Sequence, residues 1–372
     1  MRGICRGPGA SFRVRVDPRD SKAIDPTPMR GRAVLVPHAI VAALSIAVGA
    51  ASTPLHGEDG VAVPTFSPEP IDATVAERVL ALDPEHISAA DVRYLLARTP
   101  APRIINFQGS FAVVSMQPFA EYLIAMGYPE SKLRNPEDGS LSQSSFGDSA
   151  ELAGELAWYY EREGMMPMLV GHSQGGMMVV KILQDLAGMS TAKVWVWNPV
   201  TRRSEQRDRI TDPWTGRQRP VTDLKVPYAA ALATGRLPRL MLGQWSTLAK
   251  LRDIPDSVEE FSGFTIDWDP IAATVPGVDP YRATGSAQVR NISLSAATSH
   301  VAMPRALELA QNRFTRAWIE SYSPGDTTPV PVVNIDVNNI VHSADIRFSV
   351  KKHWCIEAQR YIRAAQRTKD AH

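Results

Sequence analysis

The sequence is poor in cysteine and has almost no net charge, and both shortages exclude classes of protein. It has two cysteines, Cys5 and Cys355, in 372 residues, too few for a disulfide framework, and no Cys/His cluster with the spacing of a metal site. Its 40 basic residues are balanced by 39 acidic ones, so nothing attracts it globally to nucleic acid or to anionic membranes. With 44% hydrophobic and 21% charged residues, wholesale disorder is also excluded, which leaves a globular protein.

One segment near the N-terminus has no charged residue at all. Residues 33–51 follow two arginines and end in small residues, the pattern of a secretory signal peptide. The uninterrupted apolar run at 39–51 is short for a membrane span. We therefore expect residues 1–52 to be an N-terminal extension and signal peptide, the protein to be exported to the periplasm or the medium, and no stable membrane span after cleavage. An uncleaved membrane anchor at 33–51 is the alternative, and Met29 is an alternative start site.

Short apolar runs alternate with helical patterns between residues 101 and 325, after a linker and short helices at 53–100. Strands are predicted at 104–107, 166–170, 193–197, 264–266 and 289–294. Helices between strands are typical of parallel βαβ units in an α/β protein. Residues 201–260 contain several turn signals and no clean strand, so we expect an insertion there. Residues 326–372 are predicted to form a C-terminal extension packed on this domain.

The segment Gly171-x-Ser173-x-Gly175 lies between a predicted strand and a predicted helix. A turn this tight puts the serine into a strained backbone conformation, and the flanking glycines let the strand and the helix approach each other. The serine hydroxyl then stands at a helix N-terminus, where the backbone dipole favours developing negative charge. In this context the motif predicts a nucleophilic serine.

With this motif, extended to GHSQGG at residues 171–176, the sequence resembles the lipase- and esterase-like members of the α/β-hydrolase family over about residues 100–320. The resemblance implies an α/β-hydrolase fold, with a mostly parallel, doubly wound sheet and a cap insertion at about 201–260. It also implies that Ser173 is the nucleophile and that the backbone N–H of Gln174 is one donor of an oxyanion hole.

The second oxyanion donor is expected in the loop after the first predicted strand, as the resemblance implies. That loop contains Gln108-Gly109-Ser110, with Gln108 where many lipases have histidine. Because the donors are backbone amides, this departure leaves the hole intact but weakens the assignment to a subfamily. We expect Ser110 to supply the amide, with Phe111 as the alternative.

The acid and the base of a catalytic triad are expected downstream of the serine, in that order. Asp269 follows a β-rich run and precedes Pro270, and Asp267, two residues earlier, is its rival. His300 stands between the last predicted strand and a helix, 31 residues after Asp269, and is the expected base. Three further histidines are expected to be structural or exposed rather than catalytic: His172, His342 and His353.

These residues imply a serine hydrolase that cleaves carboxylic esters through an acyl-enzyme intermediate. The mechanism requires no metal or organic cofactor, and the expected partner is a small-molecule ester or a lipid, with no nucleic acid. An amidase, peptidase, thioesterase or acyltransferase on the same fold is the alternative, because these enzymes share the triad. A non-catalytic binding module on this fold is a third possibility, and the sequence leaves the oligomeric state open.

Three further segments offer hints about the substrate and the surface. Six arginines at 201–220 form either a basic cap edge that faces anionic substrates or a solvated loop. Apolar residues at 228–248 line either an acyl pocket or the core of the cap. The β-rich runs between Thr327 and Val350 are expected to add edge strands, cover the cap or form an interface.

Overall fold

Five parallel strands form the central sheet of the protein. The structure is a computed structural model and describes residues 66–110, 114–191, 193–235 and 250–370; the predicted signal peptide and Phe111 lie outside these ranges. The strands are β1 (Ile104–Phe107), β2 (Met168–His172), β3 (Val226–Leu232), β4 (Val258–Ile266) and β5 (Gln288–Leu294). They are hydrogen-bonded side by side in chain order, all parallel.

Eight helices flank the sheet in the described part of the chain. They are α1 (Ala73–Leu80), α2 (Ala89–Tyr94), α3 (Gln117–Ala125), α4 (Ser149–Glu163), α5 (Gln174–Leu186), α6 (Leu307–Gln311), α7 (Arg313–Ser321) and α8 (Val337–Asp370). One face of the sheet packs on α1, α2, α3 and α8, and the other on α4 and α5. The predicted α/β architecture is therefore confirmed. Among the described helices, none combines the length and apolarity that crossing a bilayer requires.

The chain changes direction beside β1. After α3 it forms a single parallel bridge between Gln143 and Phe107. The N–H of Gln143 donates to the carbonyl of Asn106 at 2.7 Å, and the N–H of Gln108 donates to the carbonyl of Gln143 at 2.9 Å. The chain then crosses the opposite face as α4 and enters β2, on the other side of β1. Helices on both faces and this reversal leave a crevice at the carboxyl ends of β1 and β2, where α/β proteins bind their ligands.

Residues at its two ends determine where α4, the helix that precedes β2, begins and ends. The carboxylate of Asp148 accepts a hydrogen bond from the N–H of Ala150 at 2.8 Å, which caps the first turn of α4. Gly164 ends the helix in the left-handed region, with φ of 69°. An added Cβ on Gly154 would lie 1.9 Å from the carbonyl oxygen of Trp195, so this glycine lets the neighbouring segment lie directly on the helix.

The prediction that residues 201–260 contain no strand of the sheet is wrong. Val226–Leu232 is β3, fully buried between β2 and β4, and β4 begins at Val258. Its Ala229-Ala230-Ala231 core has low intrinsic β-propensity, which is why the pattern hides the strand. Small side chains are needed here because α5 packs closely: an added Cβ on Gly176 would lie 3.0 Å from the Cβ of Ala231. Residues 236–249 lie outside the described ranges.

The arginine-rich segment packs on α4. It folds into two antiparallel ribbons, Trp197–Asn198 with Arg203–Ser204 and Arg209–Thr211 with Gln218–Pro220. The first ribbon lies against Gly154, in the N-terminal half of α4. The second lies toward the C-terminal end of α4, where Arg207 forms ion pairs with Glu161 and Glu205. The guanidinium of Arg219 likewise pairs with Asp212 at 3.3 Å. Because α4 ends where β2 begins, these pairs lie toward the amino ends of the strands, away from Ser173.

The strand predicted at 193–197 is absent from the sheet. Val194 and Val196 are buried, which explains the strand-like pattern. The backbone of Val196, however, bonds to Arg207 and Glu205, at 2.7 and 2.8 Å, instead of to a neighbour in the sheet. The segment is extended but pairs with the ribbon on α4.

The β-rich runs predicted between Thr327 and Val350 give way to a 34-residue helix, α8. Its buried polar side chains bond to backbone carbonyls elsewhere: Arg347 to Met126, Lys351 to Ile87 and Gln359 to Val79. β-branched residues near its start suggest a strand locally, and tertiary packing overrides that propensity. The C-terminal segment is therefore part of the core.

Candidate active site

Ser173 occupies a sharp turn between β2 and α5. Its φ of 53° and ψ of −114° are rare for a residue with a side chain, and such strain persists only where the surroundings hold it. The N–H of Ser173 donates to the carbonyl of Leu232 at 2.7 Å, and the hydroxyl of Thr234 donates to the carbonyl of Ser173 at 3.1 Å. The Ser173 side chain does not cap α5. The predicted elbow is present, with its hydroxyl group not used for capping.

Each glycine of the motif faces backbone or a tightly packed side chain. An added Cβ on Gly171 would lie 2.3 Å from the backbone of Gly175, and one on Gly175 would lie 2.1 Å from the carbonyl oxygen of Phe107. On Gly176 it would lie 2.0 Å from the hydroxyl oxygen of Thr234. The glycines thus allow the strand, the helix and the end of β1 to meet around Ser173.

Asp269 and His300 form a buried pair. A carboxylate oxygen of Asp269 lies 2.5 Å from Nδ1 of His300, and the two side chains are 1% and 6% exposed. The same carboxylate accepts hydrogen bonds from the N–H groups of Ile271 and Ala272, at 2.9 and 3.2 Å. Burial favours the neutral acid, but the hydrogen bond to His300 and these amides outweigh it and lower the pKa of Asp269. The carboxylate is therefore ionised, and Nδ1 of His300 donates to it.

The side chain of Asp267 points away from His300. Its carboxylate accepts a hydrogen bond from the hydroxyl of Ser293 on β5. It also lines a cavity of about 310 Å³ whose walls include Arg252 but neither Ser173 nor His300. Between the two carboxylates, Trp268 has a φ of 57°, which turns the chain so that the two side chains diverge. Of the two rivals, the structure brings Asp269 to His300.

His172 connects the serine turn to His300. Its Nε2 lies 2.9 Å from the carbonyl oxygen of His300, and the two rings meet edge to face with centroids 5.0 Å apart. Burial, together with the neighbouring His300, lowers the pKa of His172 to about 3. The ring is neutral at physiological pH, which fits a packed rather than a basic histidine. Sequence reasoning missed the contact with His300.

Gln174 and Ser110 meet beside the serine. The hydroxyl of Ser110 donates to Oε1 of Gln174 at 2.6 Å, and Nε2 of Gln174 donates to the carbonyl of Ser145 at 3.3 Å. Gly109 faces the nucleophile: an added Cβ there would lie 3.5 Å from the Cβ of Ser173. The structure thus places Ser110 against Gln174, the residue that follows Ser173. Ser145 was missed, because it lies in a loop with no motif of its own.

The other two downstream histidines are buried away from Asp269. His342 contacts the carbonyl oxygens of Asn338 and Met303, and His353 lies 3.2 Å from the carboxylate of Glu260. In the part of the chain that the structure describes, no cluster of His, Cys, Asp and Glu is arranged to hold a metal ion.

The arrangement of Ser173, Asp269 and His300 determines which chemistry these residues can perform. An imidazole that donates from Nδ1 to a carboxylate keeps the lone pair of Nε2 as a proton acceptor. Ser173, whose neighbour His172 contacts His300, stands at the N-terminus of a helix, where backbone N–H groups are available to an oxyanion that forms on a bound carbonyl. These are the requirements for attack of a serine hydroxyl on a carbonyl carbon.

Comparisons with known proteins add little to this geometry. No family model matches the chain, and neither does any curated protein. Among solved structures, that of RedJ with a PEG molecule bound in the active site is similar to it, at 15% sequence identity and a TM-score of 0.26. The match covers 56% of this chain and 87% of RedJ. A likeness this low supports no argument about activity.

Proposed function

We propose that the protein is a serine hydrolase that cleaves carboxylic esters, on an α/β-hydrolase fold, with Ser173 as nucleophile, His300 as base and Asp269 as acid. The observation that carries the proposal is the buried 2.5 Å contact of Asp269 and His300, which His172 joins to the adjacent serine in a strained turn. The position of the serine at the carboxyl end of β2 agrees with the usual place of α/β active sites.

In the proposed mechanism, Nε2 of His300 takes the hydroxyl proton as Oγ of Ser173 attacks the ester carbonyl. The negative charge on the carbonyl oxygen is stabilised by the N–H of Gln174 and by an N–H of the Ser110 loop, the pair expected to form the oxyanion hole. The C–O bond to the alcohol then breaks, and His300 returns its proton to the departing oxygen. Water, activated by the same imidazole, hydrolyses the acyl-enzyme and regenerates the serine.

Exposed apolar side chains next to the proposed acid and base support an ester or lipid substrate. Trp268 and Val301 directly adjoin Asp269 and His300, and they are 66% and 42% exposed. In the proposed enzyme these two side chains are available to contact a hydrocarbon chain of the substrate. The segment at 33–51 extends the proposal to an exported enzyme, which detection of the mature protein outside the cytoplasm tests.

A fluorophosphonate probe tests the nucleophile directly, because it reacts only with an activated serine. We expect the wild-type protein to be labelled and Ser173→Ala and His300→Ala to be unlabelled. Hydrolysis of p-nitrophenyl esters should fall by about 10⁴-fold or more in both variants. Undiminished labelling of Ser173→Ala contradicts the proposal. Labelling of the wild type without ester hydrolysis points to the amidase, peptidase, thioesterase or acyltransferase alternative.

A further inference from the structure

We propose that His172 is a positioning residue that holds the backbone of His300 against the serine turn. Its Nε2–H donates to the carbonyl oxygen of His300 across 2.9 Å. The inference rests on the proposed function, in which His300 is the base. It gives a role to the residue of the GHSQGG segment that is neither a packing glycine, nor the nucleophile, nor an expected oxyanion donor.

The direction of this hydrogen bond follows from its partner. A backbone carbonyl only accepts, so Nε2 of His172 must carry the proton. The ring is 1% exposed and its lowered pKa keeps it neutral, so Nδ1 carries none. That second nitrogen is buried against Gly109, where an added Cβ would lie 3.2 Å away, and it has no hydrogen-bond partner among the described residues. The contact with His300 alone fixes the tautomer.

The restraint acts on the backbone of a short turn. His300 opens the single 3₁₀ turn His300–Ala302, with bonds from the N–H of Ala302 to Ser299 and from the N–H of Arg305 to Ala302. Asp269 contacts the imidazole at Nδ1, at the far end of the side chain from this backbone. His172 fixes the backbone, and it belongs to β2, whose register with β1 and β3 is set by the sheet. The base and the nucleophile are thereby both held in position relative to β2.

Two substitutions separate this role from simple packing. His172→Gln keeps an N–H donor close to the position of Nε2, and His172→Leu keeps the bulk without a donor. We expect His172→Leu to lower kcat by about 100-fold, because a displacement of ~1 Å costs this much, while KM changes little. His172→Gln should recover to within about tenfold of the wild type, because its side-chain N–H restores the hydrogen bond to the carbonyl of His300. Equal activity of the two variants, whether high or low, overturns the proposal.

A measurement on the unmodified protein keeps the proposal testable if the variants fail to fold. In ¹⁵N-histidine NMR spectra we expect His172 to be the Nε2–H tautomer at all pH values between 5 and 8. The Nδ1–H tautomer for His172 overturns the proposal. Because this readout needs no substrate, it remains decisive if Ser173→Ala shows that the proposed ester hydrolysis is wrong.

Discussion

Asp269 contacts His300, whereas Asp267, two residues away, bonds to Ser293 on the neighbouring strand. The two aspartates belong to the same β-rich segment. Their carboxylates lie on opposite sides of it because Trp268, between them, has a positive φ. This geometry gives the two aspartates different roles, and the difference is measurable.

Asp269→Asn should abolish most ester hydrolysis, and Asp267→Asn should not. An asparagine at position 269 removes the charge that stabilises the imidazolium and permits the wrong tautomer, which costs about 10⁴-fold in kcat in serine hydrolases. The loss of Asp267 removes only a hydrogen bond to Ser293, so we expect kcat close to that of the wild type. Rates with p-nitrophenyl acetate at pH 8 compare the two, and equal losses would contradict the assignment.

The side chain of Gln174 should matter through the loops that it joins. Gln174→Ala leaves the backbone N–H in place but removes the bonds to Ser110 and Ser145. We expect a loss of about tenfold in kcat, less than the 10²- to 10³-fold cost of a lost oxyanion donor. Ser110→Ala breaks the same bond, so the double variant should lose little more than Gln174→Ala alone. Multiplicative losses would show that the two side chains act independently.

Gly175→Ala should destabilise the fold although alanine favours helices. The new Cβ would lie 2.1 Å from the carbonyl oxygen of Phe107, which is backbone and cannot turn aside. Overpacking of this kind costs about 3 kcal/mol, more than the ~1 kcal/mol gained in helix propensity. Gly147→Ala is the matched control, because its added Cβ would meet only Leu152, at 3.7 Å. Urea unfolding gives both values, and a stable Gly175→Ala variant would argue against the close packing.

Glu155 should make the protein less stable as the pH rises. Burial raises its pKa from 4.5 to about 7, against the opposing attraction of Arg202. The folded state therefore binds this proton more tightly than the unfolded chain, and stability falls as the pH rises from about 4.5 to about 7, then levels off.

Replacement of Glu155 by glutamine tests this dependence. Glu155→Gln should match the wild type below pH 4.5 and be more stable at pH 8, by about 2–3 kcal/mol. Glu151→Gln removes the same charge one turn earlier, at a half-buried position, and should show a smaller change. Thermal unfolding at several pH values provides the measurement. A Glu155→Gln protein that is less stable than the wild type at pH 8 would show that the carboxylate has a stabilising partner.

Local chemistry explains what the sequence predicts well. The serine turn needs glycines at fixed spacing, and Gly171, Gly175 and Gly176 each face a contact that excludes a side chain. Helix α4 carries its own signals, with Asp148 at one end and Gly164 at the other. His300 was predicted from its place after a strand, and the structure pairs it with one of the two expected aspartates.

Long-range packing explains what the sequence does not reveal. β3 has three alanines among its seven residues, and one of them, Ala231, packs closely on Gly176 of α5, so its composition does not suggest a strand. The choice of Asp269 depends on the single dihedral angle of Trp268. Ser145 approaches Gln174 only because the loop after the Gln143 bridge folds back over β1. None of these relationships leaves a periodic trace along the chain.

Helix α8 also affects the order in which parts of the chain can pack during folding. Lys351 and Gln359 supply hydrogen bonds to the carbonyls of Ile87 and Val79, groups that lie 264 and 280 positions earlier in the chain. These carbonyls face an apolar interior, so the first two helices have no stable place until α8 arrives. Contacts over such separations form slowly, and they require the chain to have been synthesised as far as Lys351 and Gln359. A nascent chain that ends before α8 therefore leaves these two carbonyls without their side-chain donors.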